Sequence, residues 1–175
     1  ALSSAGYVTG LCGKWHVGYD RERNIAVAAV AVLSVKDLSL VDSAVGWEPI
    51  RFPYVPGYLS FREIPAVVNA VRELSSPPDM LLCDGQGIAH PRGLGLASHL
   101  GLLMHKPTIG CAKSILVGEH GEIGAARGAL EPLVHEGRRI GTAVRTRDNV
   151  KPVYVSPGHL VDQLLGQLST VPDPR

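Results

Sequence analysis

The residue best placed for chemistry is Asp84, in the segment Met80-Leu-Leu-Cys-Asp-Gly-Gln-Gly-Ile-Ala-His-Pro-Arg92. It follows an apolar run of strand length, and ligands of α/β proteins bind beyond the ends of strands. The glycines at positions 85 and 87 let backbone approach a ligand closely, and a carboxylate placed there can bring a metal ion to a phosphodiester. An aspartate before glycine also often caps its own loop. From its neighbours alone, Asp84 fits metal binding and loop capping equally well.

Two further candidates lie upstream, in the segment Pro53-Tyr-Val-Pro-Gly-Tyr-Leu-Ser-Phe-Arg-Glu63. Prolines stiffen the turn that carries Tyr54, and an aromatic ring fixed in this way can enter a stack of bases. The alternative is a ring packed under the turn. Glu63 is predicted to lie in the first turn of a helix, where the helix dipole stabilises a carboxylate. A capping role is therefore the alternative to ligand binding at Glu63.

Together the two segments resemble the endonuclease V family, repair nucleases that cut beside deoxyinosine. The resemblance continues through Gly95-Leu-Ala-Ser-His-Leu-Gly101, Pro107-Thr-Ile-Gly-Cys-Ala-Lys113 and Lys151-Pro-Val-Tyr-Val-Ser-Pro-Gly-His159, and covers the chain from about Gly10 to His159. It implies a metal-dependent cut on the 3′ side of deoxyinosine in DNA, with RNA containing inosine as a second possible substrate. The implied cofactor is Mg²⁺, for which Mn²⁺ is a substitute.

The resemblance also implies roles for individual residues. Lys113 would meet the substrate phosphate, and a histidine would place a water or stabilise the leaving oxygen, since imidazole titrates near neutrality. The implied catalytic residues are Glu63, Asp84, His90, Lys113 and His159. Glu63 and Asp84 would hold the metal ion. The implied nucleic-acid-binding residues, which surround the lesion and the flipped hypoxanthine, are Tyr54, Gly57, Leu59, Gly85 and Lys113.

The chain departs from the family at the first metal ligand. The family carries an aspartate in a Gly-x-Asp-x-Ser-Tyr pattern, but this chain, aligned through Tyr19, has His16 at that position. Asp20 is predicted to lie in a turn and is a poor substitute. Imidazole suits Mn²⁺ or Zn²⁺ better than Mg²⁺, so we expect Mg²⁺ binding to weaken. Both ends are also short for the family.

Two other functions remain open from the sequence. One is a catalytically impaired module of the same fold that binds inosine-containing or single-stranded nucleic acid. The other is an α/β enzyme whose Asp84-Gly-Gln-Gly87 loop holds a nucleotide cofactor. This second alternative ranks last, because the loop lacks the glycine order of dinucleotide-binding and P-loop motifs.

Length and composition bound the class of protein. A chain of 175 residues with 45% hydrophobic and 19% charged side chains predicts a single folded domain over residues 1–175. No apolar run reaches the roughly 20 residues of a membrane span. The three cysteines are far apart, which predicts reduced thiols in a cytoplasmic protein. We expect a monomer with no membrane contact.

The net charge of +1 says little about nucleic acid, but charge is uneven along the chain. The segment Arg138–Lys151 contains five cationic side chains and one anionic side chain, Asp148. Such a segment can contact phosphates. Taken alone, an ordinary solvated face is the favoured interpretation.

Apolar periodicity predicts an α/β protein with a mixed sheet flanked by helices. A glycine-rich and charged stretch over residues 118–137 is predicted to be a surface insertion. A continuous apolar run over 25–33 predicts a strand covered on both faces. The family resemblance names this architecture ribonuclease H-like. The predicted strands cover 8–17, 25–33, 39–49, 80–83, 108–112, 140–146 and 153–156, and the predicted helices cover 61–74, 94–104 and 159–168.

Overall fold

The structure, a computed structural model, describes residues 18–20 and 22–161. In chain order the elements are β1 (Gly18–Asp20), β2 (Ile25–Leu33), β3 (Leu40–Pro49), α1 (Leu59–Arg72), β4 (Leu81–Cys83), α2 (Leu96–Met104), β5 (Thr108–Ala112), β6 (Leu130–His135), β7 (Arg138–Val144) and β8 (Val153–His159). The predicted α/β class, with a mixed sheet and flanking helices, is confirmed. The strand predicted over 8–17 lies outside the described residues, as do His16 and almost all of the helix predicted over 159–168. Among the described residues, no helix is long and apolar enough to cross a membrane.

Strands β1, β2 and β3 form an antiparallel three-stranded sheet. The connection between β1 and β2 is a tight turn, because Asp20 Oδ1 accepts hydrogen bonds from the backbone N–H groups of Glu22 at 3.1 Å and Arg23 at 3.0 Å. Asp20 therefore serves the turn, as its position in the sequence predicted.

The prediction that β2 is covered on both faces is correct for one face and only partly correct for the other. Its residues alternate: Ala26, Ala28, Val30 and Val32 are buried, whereas Ala29 on the other face is exposed. Helix α1 covers the buried face and approaches closely at Gly46 of β3, where a Cβ atom would lie 2.2 Å from the backbone nitrogen of Ala70. The small alanines on the outer face made the run look uniformly apolar.

Strands β4 to β8 form a five-stranded mixed sheet in the order β4-β5-β8-β7-β6. β4 and β5 are parallel and the other pairs are antiparallel. Parallel neighbours need a crossover connection, which α2 provides here. The residues that follow β4 and β5 therefore lie at the same end of the strands. The candidate site is at this end of the sheet.

The segment predicted to be a surface insertion, 118–137, differs in part from that expectation. Residues 130–135 form the edge strand β6, and Leu133 is buried against the sheet. Neighbouring charges and glycines hid this strand, because only one side chain in it is fully covered. β8 also continues to His159, past the residue at which it was predicted to end.

Candidate functional site

A pocket of about 330 Å³ opens where β4 and β5 end and α1 begins. The turn before α1, the loop after β4 and the residues after β5 all contribute to its lining. Residues that the sequence singled out far apart in the chain meet here. Those lining the pocket are Tyr54, Gly57, Leu59, Glu63, Asp84, Gly85 and His90.

Asp84 lies in the pocket wall and forms an ion pair with Lys113. Lys113 Nζ donates to Asp84 Oδ2 at 2.7 Å, and the Asp84 side chain is 20% exposed. Sheet register explains this pair, because Cys83 at the end of β4 lies opposite Gly110 in the parallel strand β5. Asp84 and Lys113 each follow the end of one of these two strands.

Glu63 reaches the same pocket from α1. The helix begins at Leu59, and no acidic side chain lies in its first turn. The prediction that Glu63 is in the first turn is therefore corrected, and with it the capping alternative, since the dipole acts mainly within that turn. Glu63 lies one turn further along α1 and lines the pocket that Asp84 also lines.

Two carboxylates bordering one pocket match the oxygen ligands that Mg²⁺ prefers. Within residues 18–20 and 22–161, no group of three or more His, Cys, Asp or Glu side chains is arranged to hold a metal ion. The described part of the chain thus offers a partial ligand set in Glu63 and Asp84, which would leave several ion positions to water or substrate.

Tyr54 stands on the turn at the rim of the pocket with 67% of its surface exposed. The alternative of a ring packed under the turn does not fit this exposure. The turn ends at Gly57, whose φ of 79° lies in a region that side chains with a Cβ avoid. A large aromatic ring is therefore presented outward beside the two carboxylates.

Arg92 holds this turn in place through contacts with Gly57 and Tyr58, a role that the sequence did not suggest. Its guanidinium donates from Nη1 to the Gly57 carbonyl at 3.0 Å and lies 3.9 Å from the centroid of the Tyr58 ring. The hydrogen bond spans 35 positions in the chain, so no local pattern connects Arg92 to the turn. Only the loop after β4, folded back over α1, brings them together.

An aromatic cluster holds the start of α1 against α2. The Phe61 ring lies 5.6 Å from Phe52, 6.0 Å from Tyr58 and 4.8 Å from His99, centroid to centroid. His99 Nδ1 also lies 3.2 Å from Ser60 Oγ. Burial lowers the pKa of His99 below its usual value, which favours the neutral ring in this packed position.

His90 lines the pocket as a neutral ring. Burial and, second, the charge of Arg92 lower the pKa of His90. The backbone N–H of Arg92 donates to His90 Nδ1 at 3.3 Å, and a neutral imidazole whose Nδ1 accepts carries its hydrogen on Nε2. His90 can therefore donate a hydrogen bond, with no positive charge to attract a phosphate.

The loop that carries Asp84 is fastened to β8. Gly87 N–H donates to the buried Ser156 Oγ at 2.9 Å, and a Cβ atom at Gly87 would lie 1.9 Å from the Pro157 carbonyl oxygen. Gln86 Nε2 donates to the Ser114 carbonyl at 3.1 Å. Sequence reasoning missed Gln86 and Ser156, which hold the loop that positions Asp84.

His159 is not brought to the pocket. It pairs with Thr108, the first residue of β5, and its N–H donates to Thr108 Oγ1 at 2.9 Å. Lys113 follows the last residue of the same strand. His159 therefore lies at the opposite end of the strands from the pocket. An antiparallel partner that extends the full length of β5 cannot place both of its ends at the site.

Comparison with known proteins agrees with this fold. The family model described as Endonuclease V matches residues 5–166. "Endonuclease V" of Trichormus variabilis is 53% identical over 155 residues, which cover 89% of this chain and 68% of that protein. The crystal structure of the Endonuclease V from Streptomyces avermitilis is 48% identical with a TM-score of 0.76, covering 81% of this chain and 62% of that one.

A third likeness is to Ciona intestinalis Endonuclease V, crystallised in complex with a 24mer DNA containing an inosine followed by a ribo-adenosine. It is 25% identical with a TM-score of 0.66, and the match covers 87% of this chain and 72% of that one. The fold and site define a mixed α/β domain with an acidic pocket at its strand ends, and the predicted ribonuclease H-like architecture is confirmed. The chain belongs to the endonuclease V family.

Proposed function

We propose that this chain is a metal-dependent endonuclease that cuts on the 3′ side of deoxyinosine. The observation that carries the proposal is that Glu63 and Asp84 border the same pocket as the exposed Tyr54. Two carboxylates next to an outward-facing ring combine the requirements of phosphodiester hydrolysis and of holding a displaced base.

Each residue of the pocket has a part in this proposal. Glu63 and Asp84 would hold Mg²⁺, which when bound supplies Lewis-acid catalysis and orients the phosphodiester. Lys113, paired with Asp84 at 2.7 Å, would bind a substrate phosphate. His90, neutral because its pKa is lowered, donates a hydrogen bond to an uncharged acceptor or a water. His159 has no part in the proposal.

The same pocket would receive the base. Tyr54 would enter the gap that a flipped nucleotide leaves in the stack, and Gly57, Leu59 and Gly85 would line the space for hypoxanthine. These residues all line the pocket. The Ciona relative's complex with inosine-containing DNA supports DNA as the substrate, and inosine-containing RNA is the variant to compare.

A second function, inosine binding without cleavage, is favoured by one observation. The family's first aspartate is replaced by His16, which removes a hard oxygen ligand and a negative charge from the proposed ion site. Restoring it with His16→Asp should raise Mg²⁺-dependent cleavage, and the native chain should work better with Mn²⁺ than with Mg²⁺.

The deciding experiment incubates the native chain and His16→Asp with an inosine-containing strand, in Mg²⁺ and in Mn²⁺, and resolves products on a gel. Cleavage beside inosine supports the nuclease. Binding of the strand by both chains without any product supports the binding module. Efficient Mg²⁺-dependent cleavage by the native chain, with no gain from His16→Asp, would contradict the proposed weakening at position 16. A matched strand with adenosine in place of inosine controls for nonspecific cutting.

A further inference from the structure

Two loops at one end of the strands of the five-stranded sheet are joined to each other by backbone hydrogen bonds. The backbone N–H of Arg145 donates to the Ala129 carbonyl at 2.9 Å, that of Gly128 to the Arg145 carbonyl at 2.8 Å, and that of Asn149 to the Ala125 carbonyl at 2.9 Å. We call residues 123–129 and 145–151 the loop platform. Its fixed backbone distinguishes it from a pair of independent surface loops.

Arg145 is the internal support of the loop platform. Its guanidinium donates to the carbonyl of Gly124 at 2.8 Å, to that of Ile123 at 3.2 Å and to that of Val150. Three of the five N–H donors of this guanidinium are thus taken by carbonyls within the platform, one on each nitrogen. Arg145 therefore belongs to the structure of the platform, and the cations left to face solvent are Arg127, Arg147 and Lys151, all exposed.

The register of the sheet places the loop platform at the same end of the strands as Asp84 and Lys113. Ala112, just before Lys113, lies opposite Tyr154 at the start of β8, and Leu130 at the start of β6 lies opposite Val144 at the end of β7. Neighbouring strands are about 4.8 Å apart. Two strand spacings separate β4 from β8, which Lys151 precedes, and four separate β4 from β6, so the platform lies about 10–19 Å from Asp84, the length of about three to six phosphates along one strand.

The segment 114–120 leads from the pocket toward the loop platform and carries an aromatic side chain. Ser114 and Leu116 line the pocket, and the chain then leads to His120, whose ring lies 5.7 Å from that of Tyr154. Cations with interspersed aromatic rings are typical of surfaces that follow a single strand. Two anions, Glu122 and Asp148, lie in or next to the platform, and Asp148 Oδ1 accepts the N–H of Arg127 at 2.6 Å.

The structure also divides the cation-rich segment noticed in the sequence. Arg138 and Arg139 lie at the start of β7, next to the turn that joins β6 to β7. Arg147 and Lys151 come after the last residue of β7, at the end of the strands where the candidate site lies. Cations close together in sequence are therefore separated by the length of a strand, and only the second group can reach a substrate held at Asp84.

We infer that the loop platform binds backbone phosphates of the strand held in the pocket, several nucleotides from the inosine, through Arg127, Arg147 and Lys151. This inference rests on the proposed function, because it requires a strand to lie at Asp84. It adds a contact that sets how much nucleic acid on one side of the lesion the chain needs.

The test compares Arg147→Gln/Lys151→Gln with Arg138→Gln, a loss of charge at the other end of β7. Fluorescence anisotropy measures binding to a long inosine strand and to one truncated to about one nucleotide on each side of inosine, too short to reach the nearest part of the platform, about three phosphates away. Ca²⁺, which also takes oxygen ligands, replaces Mg²⁺ to keep the strands intact. Thermal unfolding verifies that each variant is folded.

For the double variant on the long strand, we expect the slope of log affinity against log salt to become shallower by about 1.4, since each lost phosphate contact of a single strand changes it by about 0.7. The short strand should bind the native chain and the double variant alike, and Arg138→Gln should leave both slopes unchanged. An unchanged slope in the double variant, or an equal change in Arg138→Gln, overturns the inference.

The proposed function fails separately in this experiment. If the native chain binds inosine and adenosine strands equally, inosine recognition is refuted, while the slopes of the variants still decide the role of the loop platform. If the native chain binds neither strand, both the inference and the proposed function are overturned.

Discussion

Lys113 Nζ lies 2.7 Å from Asp84 Oδ2 at the edge of the sheet where two parallel strands end. The lysine side chain is 64% exposed and the aspartate 20%, so the pair faces the pocket with its cation on the outer side. An ammonium in this position can exchange its carboxylate partner for a phosphate without leaving the site. If the proposed function is correct, the pair would hold a phosphate-binding group beside a metal-binding group before any substrate arrives.

The first prediction concerns Asp84. Replacing it by Asn removes a charged oxygen ligand while keeping the shape, so Mg²⁺ or Mn²⁺ affinity and inosine-strand cleavage should each fall at least about 100-fold. Calorimetric metal titration and a cleavage assay measure the two effects. Asp79→Asn, at the opposite end of β4, is the matched control and should change neither. Full cleavage by Asp84→Asn would refute the metal site.

The second prediction concerns Tyr54. Because its ring is 67% exposed, Tyr54→Ala should change the free energy of unfolding by no more than about 0.5 kcal/mol. Discrimination between inosine and adenosine strands should nevertheless fall, since the ring that would replace a flipped base is gone. Trp47→Ala removes an aromatic ring of similar exposure, 62%, from β3 and should leave discrimination intact. A large loss of stability with unchanged discrimination would assign Tyr54 to packing.

The third prediction separates positioning from metal binding. Arg92→Met keeps an apolar stem but loses the hydrogen bond to the Gly57 carbonyl and the contact with Tyr58. We expect a loss of about 0.5–1 kcal/mol of stability and weaker inosine discrimination, while metal affinity measured by calorimetry stays native. Arg72→Met, at the end of α1, is the control. An equal effect of the two substitutions on discrimination would argue against Arg92 as a positioning residue.

The fourth prediction tests the attachment of the Asp84 loop to β8. Gly87→Ala would place a Cβ atom 1.9 Å from the Pro157 carbonyl oxygen, and the backbone shift needed to relieve this should cost about 3 kcal/mol. In Gly124→Ala the new Cβ atom lies 3.4 Å from the Ala129 side chain, an ordinary contact, and stability should stay within about 0.5 kcal/mol. Urea unfolding of both variants measures the difference. Equal stability would mean that the loop is not packed against β8.

The fifth prediction concerns acid stability. Burial lowers the pKa of His99 from its usual 6.5, so the unfolded chain binds more protons than the folded chain once the pH falls below about 6.5. Stability from the neutral ring is present above that pH and is lost as the pH falls toward the lowered pKa. His99→Gln should flatten the decline of unfolding free energy between about pH 7 and pH 5. A decline in His99→Gln as steep as in the native chain would contradict this contribution of the buried ring.

Sequence reasoning succeeded where the controlling interactions are local. The apolar period of α1 and the stiff prolines before it indicated a helix after a rigid turn, and the run before Asp84 indicated a strand, which ends at the pocket. It failed where a distant partner decides. The Arg92 contact with Gly57 and the Ser156 contact with Gly87 span 35 and 69 positions, and no local spacing encodes them.

The placement of His159 is another case in which a distant partner decides and the local sequence does not. A histidine after a late strand looks equivalent to one at the site until strand direction is known, and direction is set by pairing between β5 and β8. The partial exposure of one face of β2 was missed for a related reason. Alanine and valine runs have the same hydropathy whichever face α1 covers, and only the close contact at Gly46 reveals the choice.

The hydrogen bond from Gly87 N–H to Ser156 Oγ has a consequence for how the protein is made. During synthesis the Asp84 loop leaves the ribosome well before β8 exists, because 69 positions separate the two partners. Until Ser156 and Pro157 have emerged and β8 has paired with β5, nothing in β8 can hold that loop. A nascent chain stalled before β8 would therefore lack this attachment, and the Asp84 loop would be held on all sides only when almost all of the described chain has emerged.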